Sequence, residues 1–411
     1  MSKIVFCNRY YRPDHSATAQ ILTDLAQYLA AQGEEVVVVT SRQRYEDAGA
    51  ELPAKELLEG VTVIRIWTSR WGRAHLTGRA IDYLTFYLSS LFTLLFLVRR
   101  GDILVAKTDP PLLSVVAHLI ARLKGAKLVN WLQDLFPEVA QQLGVSLPRV
   151  AVRLIRGLRN LSLRAAHCNV VIGEIMADKL RAAGVADEQI LVIHNWCIER
   201  DIYPLSRDHN PLRQQWQFDD RFIVGYSGNL GRAHDRDTLF EAAMQLADDP
   251  RFLFLFIGSG AGMDDLKRRA SQHRLANIHF APYQPAHQLQ LSLSLPDLHW
   301  VSLDPTLEGL IVPSKLYGVL AAGRPLLFIG AADGEIGQLL SAAHCGATFA
   351  PGQSRPLVDW LQSAIEDPNR VAAMSRAARR LYERDYYYGR SLATWHRLTL
   401  KMSGEEICRP A

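Results

Sequence analysis

The sequence predicts an α/β protein of two doubly wound, Rossmann-like halves. Short apolar runs that suit buried parallel strands alternate with longer runs of helical period. The alternation pauses in a polar stretch with prolines, Cys197 to Arg221, and restarts at Phe222. The chain has 411 residues and is 48% hydrophobic, enough for two substantial cores. The expected plan is a first domain over residues 1–196, a crossing over 197–221, a second domain over 222–380 and a helical tail over 381–411 packed back on the first. Two facing domains of this kind leave an interdomain cleft for a ligand.

In order, Lys3 to Phe6 is a short buried strand and Asn8 to Ser16 a polar loop. Ala17 to Ala31 follows as a helix, with Ile21, Leu22, Leu25, Tyr28 and Leu29 on one face, and Glu35 to Thr40 is the next strand. No glycine precedes Gly33, so the GxGxxG loop of a dinucleotide fold is missing. Val61 to Ile66 alternates as a strand does. Tyr83 to Val98 is the most apolar segment and ends in Arg99-Arg100. It is short for a membrane span, which needs roughly 20 residues. A buried helix, a helix lying on a membrane face with its arginines at lipid phosphates, and a span are the three readings.

Strand Asp102 to Ala106, helix Leu112 to Leu123 and strand Lys127 to Leu132 lead to Gln133-Asp134-Leu135-Phe136-Pro137-Glu138. A basic helix, Val150 to Ala166, precedes strand Asn169 to Ile172, helix Glu174 to Ala183 and strand Ile190 to Ile193. In the second half, strand Phe222 to Tyr226 runs into Ser227-Gly228-Asn229-Leu230-Gly231-Arg232. Helix Asp237 to Leu246 and strand Phe252 to Ile257 lead to a second glycine loop, Gly258-Ser259-Gly260-Ala261-Gly262, and then to strand Ile278 to Phe280. After strand Leu298 to Leu303, Val312-Pro313-Ser314 reads as a helix start with Ser314 as cap, and Gly323 with Pro325 ends that helix. Leu326 to Ile329 is a strand, followed by helices Ile336 to Ala343, Pro356 to Ile365 and Val371 to Arg384.

Composition removes several classes of function. A net charge of +4 with no basic block gives no nucleic-acid patch. Five cysteines without a CxxC spacing speak against a zinc site or a disulfide framework and fit a reducing compartment. The chain enters a strand at once, without a signal peptide, so its catalytic part is expected in the cytoplasm. No GxxxxGK[ST], HExxH or GxSxG occurs.

What remains points to a phosphate-bearing ligand. Glycines let backbone amides approach an anion, and a helix start adds amides and a positive dipole end. Both glycine loops, Arg232 and Lys315 fit that chemistry, and Glu308 stands ahead of the turn as an acceptor for hydroxyl groups. An acid for hydroxyls beside a phosphate site suggests a sugar nucleotide. Asp134 and Glu138 follow a strand end, where open α/β sheets gather ligands, although a capping aspartate and a solvated first-turn glutamate explain them equally well.

These residues carry a resemblance. Tyr11-Arg12-Pro13-Asp14, Gln133 to Glu138, His194-Asn195-Trp196, Tyr226 to Gly231, Pro313-Ser314-Lys315-Leu316-Tyr317 and Ala321-Ala322-Gly323-Arg324-Pro325, in this order, resemble the family 4 glycosyltransferases of GT-B fold, in the branch of bacterial surface-polysaccharide assembly that makes colanic acid and O-antigen. The resemblance implies transfer of a sugar from a nucleoside diphosphate sugar, with retention of configuration and no bound metal or other cofactor. It implies a donor site at Gly228, Asn229, Gly231, Arg232 and Ser259, with the base near Pro282-Tyr283, the amides of Gly309, Leu310 and Ile311 with Ser314 and Lys315 by the phosphates, and Glu308 on the sugar. Asp14, His15 and Thr18 would meet the acceptor, and Asp134 the reacting sugar or acceptor hydroxyl. A lipid-linked saccharide acceptor and a peripheral place on the inner face of the cytoplasmic membrane are implied as well.

The chain departs from the family pattern in two places. Gly318 stands where a second glutamate usually holds the ribose, and Asn229 and His234 stand where an arginine and a lysine are usual. A nucleotide-sugar epimerase of the same architecture and a catalytically silent sugar-nucleotide-binding subunit are the alternative readings.

Overall fold

Strands buried on both faces, as their near-continuous valine, isoleucine and leucine runs require, form the centre of each half of the chain. The computed structural model describes residues 2–44, 47, 49, 52–72, 76–218 and 220–404. It divides into two compact units, the first running to His194 and resuming at Gly389, the second from Asn195 to Tyr388.

The first unit holds β1 (Ile4–Cys7), β2 (Val36–Ser41), β3 (Lys55–Leu58), β4 (Val61–Ile66), β5 (Ile103–Lys107), β6 (Lys127–Trp131), β7 (Cys168–Val171) and β8 (Ile190–Val192). Their order is β3-β4-β2-β1-β5-β6-β7-β8. Neighbours run parallel except β3 and β4, an antiparallel edge pair of which the sequence reading missed the outer strand, β3. The helices are α1 (Ala17–Ala31), α2 (Leu76–Leu97), α3 (Leu113–Lys124), α4 (Glu138–Gln142), α5 (Arg149–Ala165) and α6 (Glu174–Ala182). Helix α2 begins earlier than its apolar run. Buried Asp82 on its second turn accepts hydrogen bonds from Ser69 Oγ (2.7 Å) and Trp71 N–H (3.0 Å), which holds the preceding loop against the helix. Phe86, Leu94 and Val98 join the core.

The second unit holds β9 (Phe222–Asn229), β10 (Phe252–Ser259), β11 (Ile278–Ala281), β12 (Leu298–Ser302), β13 (Leu326–Ile329) and β14 (Gly346–Phe349), in the order β11-β10-β9-β12-β13-β14. All are parallel. The helices are α7 (Pro211–Gln215), α8 (Asp237–Gln245), α9 (Ala261–Gln272), α10 (Leu289–Leu293), α11 (Lys315–Ala321), α12 (Glu335–Ala343), α13 (Ser354–Glu366) and α14 (Pro368–Leu381).

Two expectations need correction. Residues 197–221 are not a bare crossing. Leu212 and Phe218 are buried with Ile223, Leu253, Leu255 and Leu295, and Arg213 forms a buried ion pair with Asp297 at 2.7 Å. Polar composition misled there, because the arginine is internal and paired. The first glycine stretch is also not a free loop, since Ser227, Gly228 and Asn229 complete β9.

The last helix, α15 (Tyr388–Ser403), returns to the first unit. Ser391 Oγ donates to the His194 carbonyl at 3.0 Å, Trp395 lies against Trp131 with ring centroids 4.7 Å apart, and Lys127 donates to the Met402 carbonyl.

Candidate active site

In the second unit the strand order reverses between β9 and β12, where open α/β sheets leave a crevice at their carboxyl ends. Beside these ends lies Lys315, the first residue of α11. Its stem runs directly over Gly228, where a Cβ would lie 2.7 Å from Lys315 Cε. Gly228 has φ +133°, a conformation that side chains with a Cβ rarely adopt. The ammonium is 5.0 Å from the centre of the Tyr226 ring and 3.4 Å from His234 Nε2. His234 Nδ1 is 2.7 Å from the Ser302 carbonyl, so Nδ1 carries a proton and donates, leaving Nε2 to accept from Lys315. Burial, then Lys315, brings the His234 pKa down to about 4 and keeps the ring neutral. Burial also lowers Lys315 to about 8. The result is a poorly solvated cation that an anion would stabilise.

The second glycine loop proves to be architectural. β9 and β10 stay paired through Gly228 with Gly258 and Asn229 with Ser259. A Cβ on Gly258 would lie 2.2 Å from the Gly228 carbonyl, and one on Gly260 2.4 Å from Asn229 Oδ1. These glycines let the two loops touch. Asn229, Ser259 and Arg232 are exposed at this edge, with Gly231 half-buried between them. Tyr283, exposed beyond β11, adds to burial in raising the Tyr226 phenol.

Three expectations shift in detail. The Leu310 and Ile311 amides are not turned to a ligand, because both donate to the Leu307 carbonyl, at 2.9 and 3.4 Å. Gly309 makes that turn, with φ +70°. Ser314 begins α11 without a side-chain capping bond, its own backbone being already helical. Glu308 sets its carboxylate on the amino end of α12, where Oε1 accepts from Glu335 N–H at 2.7 Å. A Cβ on Gly334 would lie 2.4 Å from its carboxyl carbon. The seat suits a carboxylate, since a helix amino end favours negative charge.

In the first unit the loops after β1, β5 and β6 meet at the carboxyl edge of the sheet. Asp134 Oδ1 is buried and, among the described residues, has no hydrogen-bond partner. Burial, with Asp109 adding to it, raises its pKa to about 7. Asp14 Oδ1 accepts from Ser16 N–H at 2.8 Å at the start of α1, His15 is exposed, and the Thr18 carbonyl accepts from Lys107 Nζ at 3.0 Å. Lys107 is buried, with its ammonium 3.7 Å from the centre of the Trp131 ring. Glu138 is half-buried and held in ion pairs. It pairs with Arg156 at 2.9 Å and with Arg159, fastening α4 to α5. Sequence reading passed over Lys107 and Asp109, although Lys107-Thr108-Asp109 stands at a strand end as Asp134 does.

Two family models cover most of the chain: glycosyl transferase 4-like domain over residues 16–196 and glycosyl transferases group 1 over residues 208–381. WbjE of Pseudomonas aeruginosa, named as a glycosyltransferase, is 31% identical over 270 residues, 65% of this chain and 67% of its own. The chain belongs to the family 4 glycosyltransferases. This glycosyltransferase is also 27% identical over 398 residues to WcaI of Escherichia coli (strain K12), named as a glycosyl transferase for colanic acid biosynthesis, across 93% of this chain and 97% of WcaI. The resemblance to the surface-polysaccharide branch is thereby borne out. Among solved structures, sucrose-phosphate synthase from Thermosynechococcus elongatus matches with a TM-score of 0.78 at 16% identity, covering 98% of this chain and 100% of that one. Anabaena HepE in complex with UDP-glucose matches with a TM-score of 0.69 at 17% identity, over 98% and 100%. The glycosyltransferase thus has the GT-B fold, with two Rossmann-like parallel-sheet domains. Its Gly318 lies on α11, where a Cβ would approach Leu293 Cδ1 to 3.2 Å.

Proposed function

We propose that this glycosyltransferase moves a sugar from a nucleoside diphosphate sugar to a lipid-linked saccharide, with retention of anomeric configuration and without a bound metal, in exopolysaccharide, capsule or O-antigen assembly. The observation that carries the reading is Lys315, desolvated over Gly228 at the strand switch and supported by neutral His234. Breaking the glycosidic bond leaves charge on the diphosphate. A fixed cation stabilises that charge more in the transition state than in the bound donor. HepE, which shares the fold, is described in complex with UDP and with UDP-glucose, which supports a nucleotide sugar here. Asp134, poised near neutrality, receives the acceptor hydroxyl, and the Asp14-to-Thr18 turn, with His15 exposed, meets the remaining acceptor.

The membrane reading rests on three neighbouring helices. α3 packs against both α2 and α5. Outward from them point Leu84, Leu88, Phe92 and Phe96 of α2, Leu119 and Leu123 of α3, and Val150, Leu154, Leu158 and Leu161 of α5, Phe96 being 84% and Val150 75% exposed. Arg99, Arg100, Arg122, Arg153 and Arg164 stand among them. An apolar face edged with arginines suits the headgroup region of an anionic bilayer. α2 has the length and apolarity of a span, yet its buried face packs in the core, which favours a peripheral place on the inner leaflet.

The test is a thermal-shift panel of nucleoside diphosphate sugars, followed by transfer of the labelled sugar to native membranes. A ligand bound only by the folded form raises the melting temperature. One donor should do so and pass its sugar to a lipid-extractable product with unchanged anomeric configuration. Epimerised nucleotide sugar, or binding without turnover, would overturn the reading.

A further inference from the structure

A cavity of about 700 Å³ opens in the first unit at the carboxyl ends of β2 and β4, lined by Arg42, Gln43, Pro53, Trp67, Arg70 and Trp71. Trp67 and Trp71 are 62% and 72% exposed. Two indoles left in water forgo the burial that stabilises large apolar side chains. Such patches commonly mark a ligand.

The backbone beneath the indoles is firmly held. Buried Gln43 donates from Nε2 to the carbonyls of Thr68 (3.2 Å) and Ser69 (2.7 Å). On the other side, buried Asp82 accepts from Ser69 Oγ and from the Trp71 and Gly72 amides, at 2.7, 3.0 and 3.2 Å, and forms an ion pair with Arg9 at 3.5 Å. Gly78 permits the approach, since a Cβ there would come within 3.0 Å of the Trp71 carbonyl. A rigid platform with apolar faces and guanidinium donors is matched to pyranose rings, which offer C–H faces for stacking and hydroxyls for hydrogen bonds.

Resting on the acceptor role given to this unit, we infer that the Trp67–Trp71 cavity is a distal subsite for the acceptor oligosaccharide. It grips a pyranose removed from the reacting one. Three strand spacings separate β2 from β6, which precedes Asp134, or about 14 Å at roughly 4.8 Å each, the length of about three linked pyranoses. The enzyme therefore prefers an acceptor that already carries several sugars.

The experiment compares wild type with Trp67→Ala/Trp71→Ala and Trp67→Phe/Trp71→Phe, all full length, using the lipid-linked saccharides of native membranes as acceptor. In the alanine variant the acceptor KM should rise at least tenfold, with kcat and donor KM within twofold of wild type. The phenylalanine variant should recover most of the loss, because a stacking face remains. An unchanged acceptor KM, or donor KM rising in step with it, overturns the subsite. Wild type that transfers nothing would instead sink the proposed function. Indole fluorescence titrated with the saccharides released from those membranes by mild acid then decides the cavity alone: a change lost in the alanine variant upholds it, and no change overturns it.

Discussion

Lys315 Nζ lies 3.4 Å from His234 Nε2, which can accept because the other ring nitrogen donates to the Ser302 carbonyl, while burial and then the lysine itself keep the imidazole neutral. The lysine is the only charged member of the pair at neutral pH, with its pKa lowered to about 8 by burial.

Binding of a nucleoside diphosphate should therefore depend on pH through this lysine. Deprotonation removes the positive charge, so affinity falls as pH rises. By calorimetry, the affinity for the donor's nucleoside diphosphate should hold between pH 6 and 7, then fall by up to about tenfold per unit above pH 8. Lys315→Arg should abolish that fall, since guanidinium keeps its proton. Lys315→Ala should weaken the nucleoside diphosphate at least tenfold and the matching nucleoside less than twofold. Equal losses for both would remove the phosphate assignment.

Gly228→Ala places a methyl 2.7 Å from the lysine stem in a conformation unfavourable to alanine. Strain of about 1–3 kcal/mol is expected, lowering the melting temperature by several degrees. Nucleoside diphosphate affinity should drop with it as Lys315 is displaced. A variant that melts and binds like wild type would show that the stem has room to move.

Glu308 holds the amino end of α12. Glu308→Ala should lower stability by about 1 kcal/mol, the usual loss for a removed cap. Glu308→Gln should keep an acceptor for the Glu335 amide and restore most of that stability. Transfer should fall at least a hundredfold in the alanine variant, and wild-type turnover there would withdraw Glu308 from the sugar.

Asp134 has a folded-state pKa raised to about 7 from 3.8. The folded protein keeps its proton where the unfolded chain releases it, so stability is lost as pH rises between these values. Asp134→Asn should therefore melt about 2 °C or more above wild type at pH 8. The difference should shrink below pH 7 and vanish near pH 4. Transfer should collapse in the same variant at every pH.

Leu154→Glu/Leu158→Glu on α5 and Phe92→Glu/Phe96→Glu on α2 alter exposed side chains only. Each should reduce flotation with phosphatidylglycerol-rich vesicles at least tenfold and leave nucleoside diphosphate affinity unchanged. Flotation equal to wild type would mean that this face meets something other than lipid.

The parallel strands were legible because full burial writes itself as an unbroken apolar run, as in Val36–Val39. The edge strands β3 and β14 were not. β14 is Gly346-Ala347-Thr348-Phe349, and its glycine is needed because a Cβ would lie 2.0 Å from the Leu326 carbonyl. Lys315 could be read as a phosphate ligand from its place after Pro313-Ser314, but not its passage over Gly228. That contact joins residues far apart in the chain and exists only once β9 and β12 are neighbours. Asp134 stood at a legible strand end. Its burial beside Asp109 did not show, since it depends on β5 and β6 lying side by side.

The return of α15 to the first unit bears on how the protein is made. Trp131 and Lys127 meet their partners Trp395 and Met402 only after the second unit has been synthesised. On the ribosome, the portion translated first is therefore the last to be completed, and a fragment ending at His194 would emerge with an unsealed tryptophan and a tendency to aggregate.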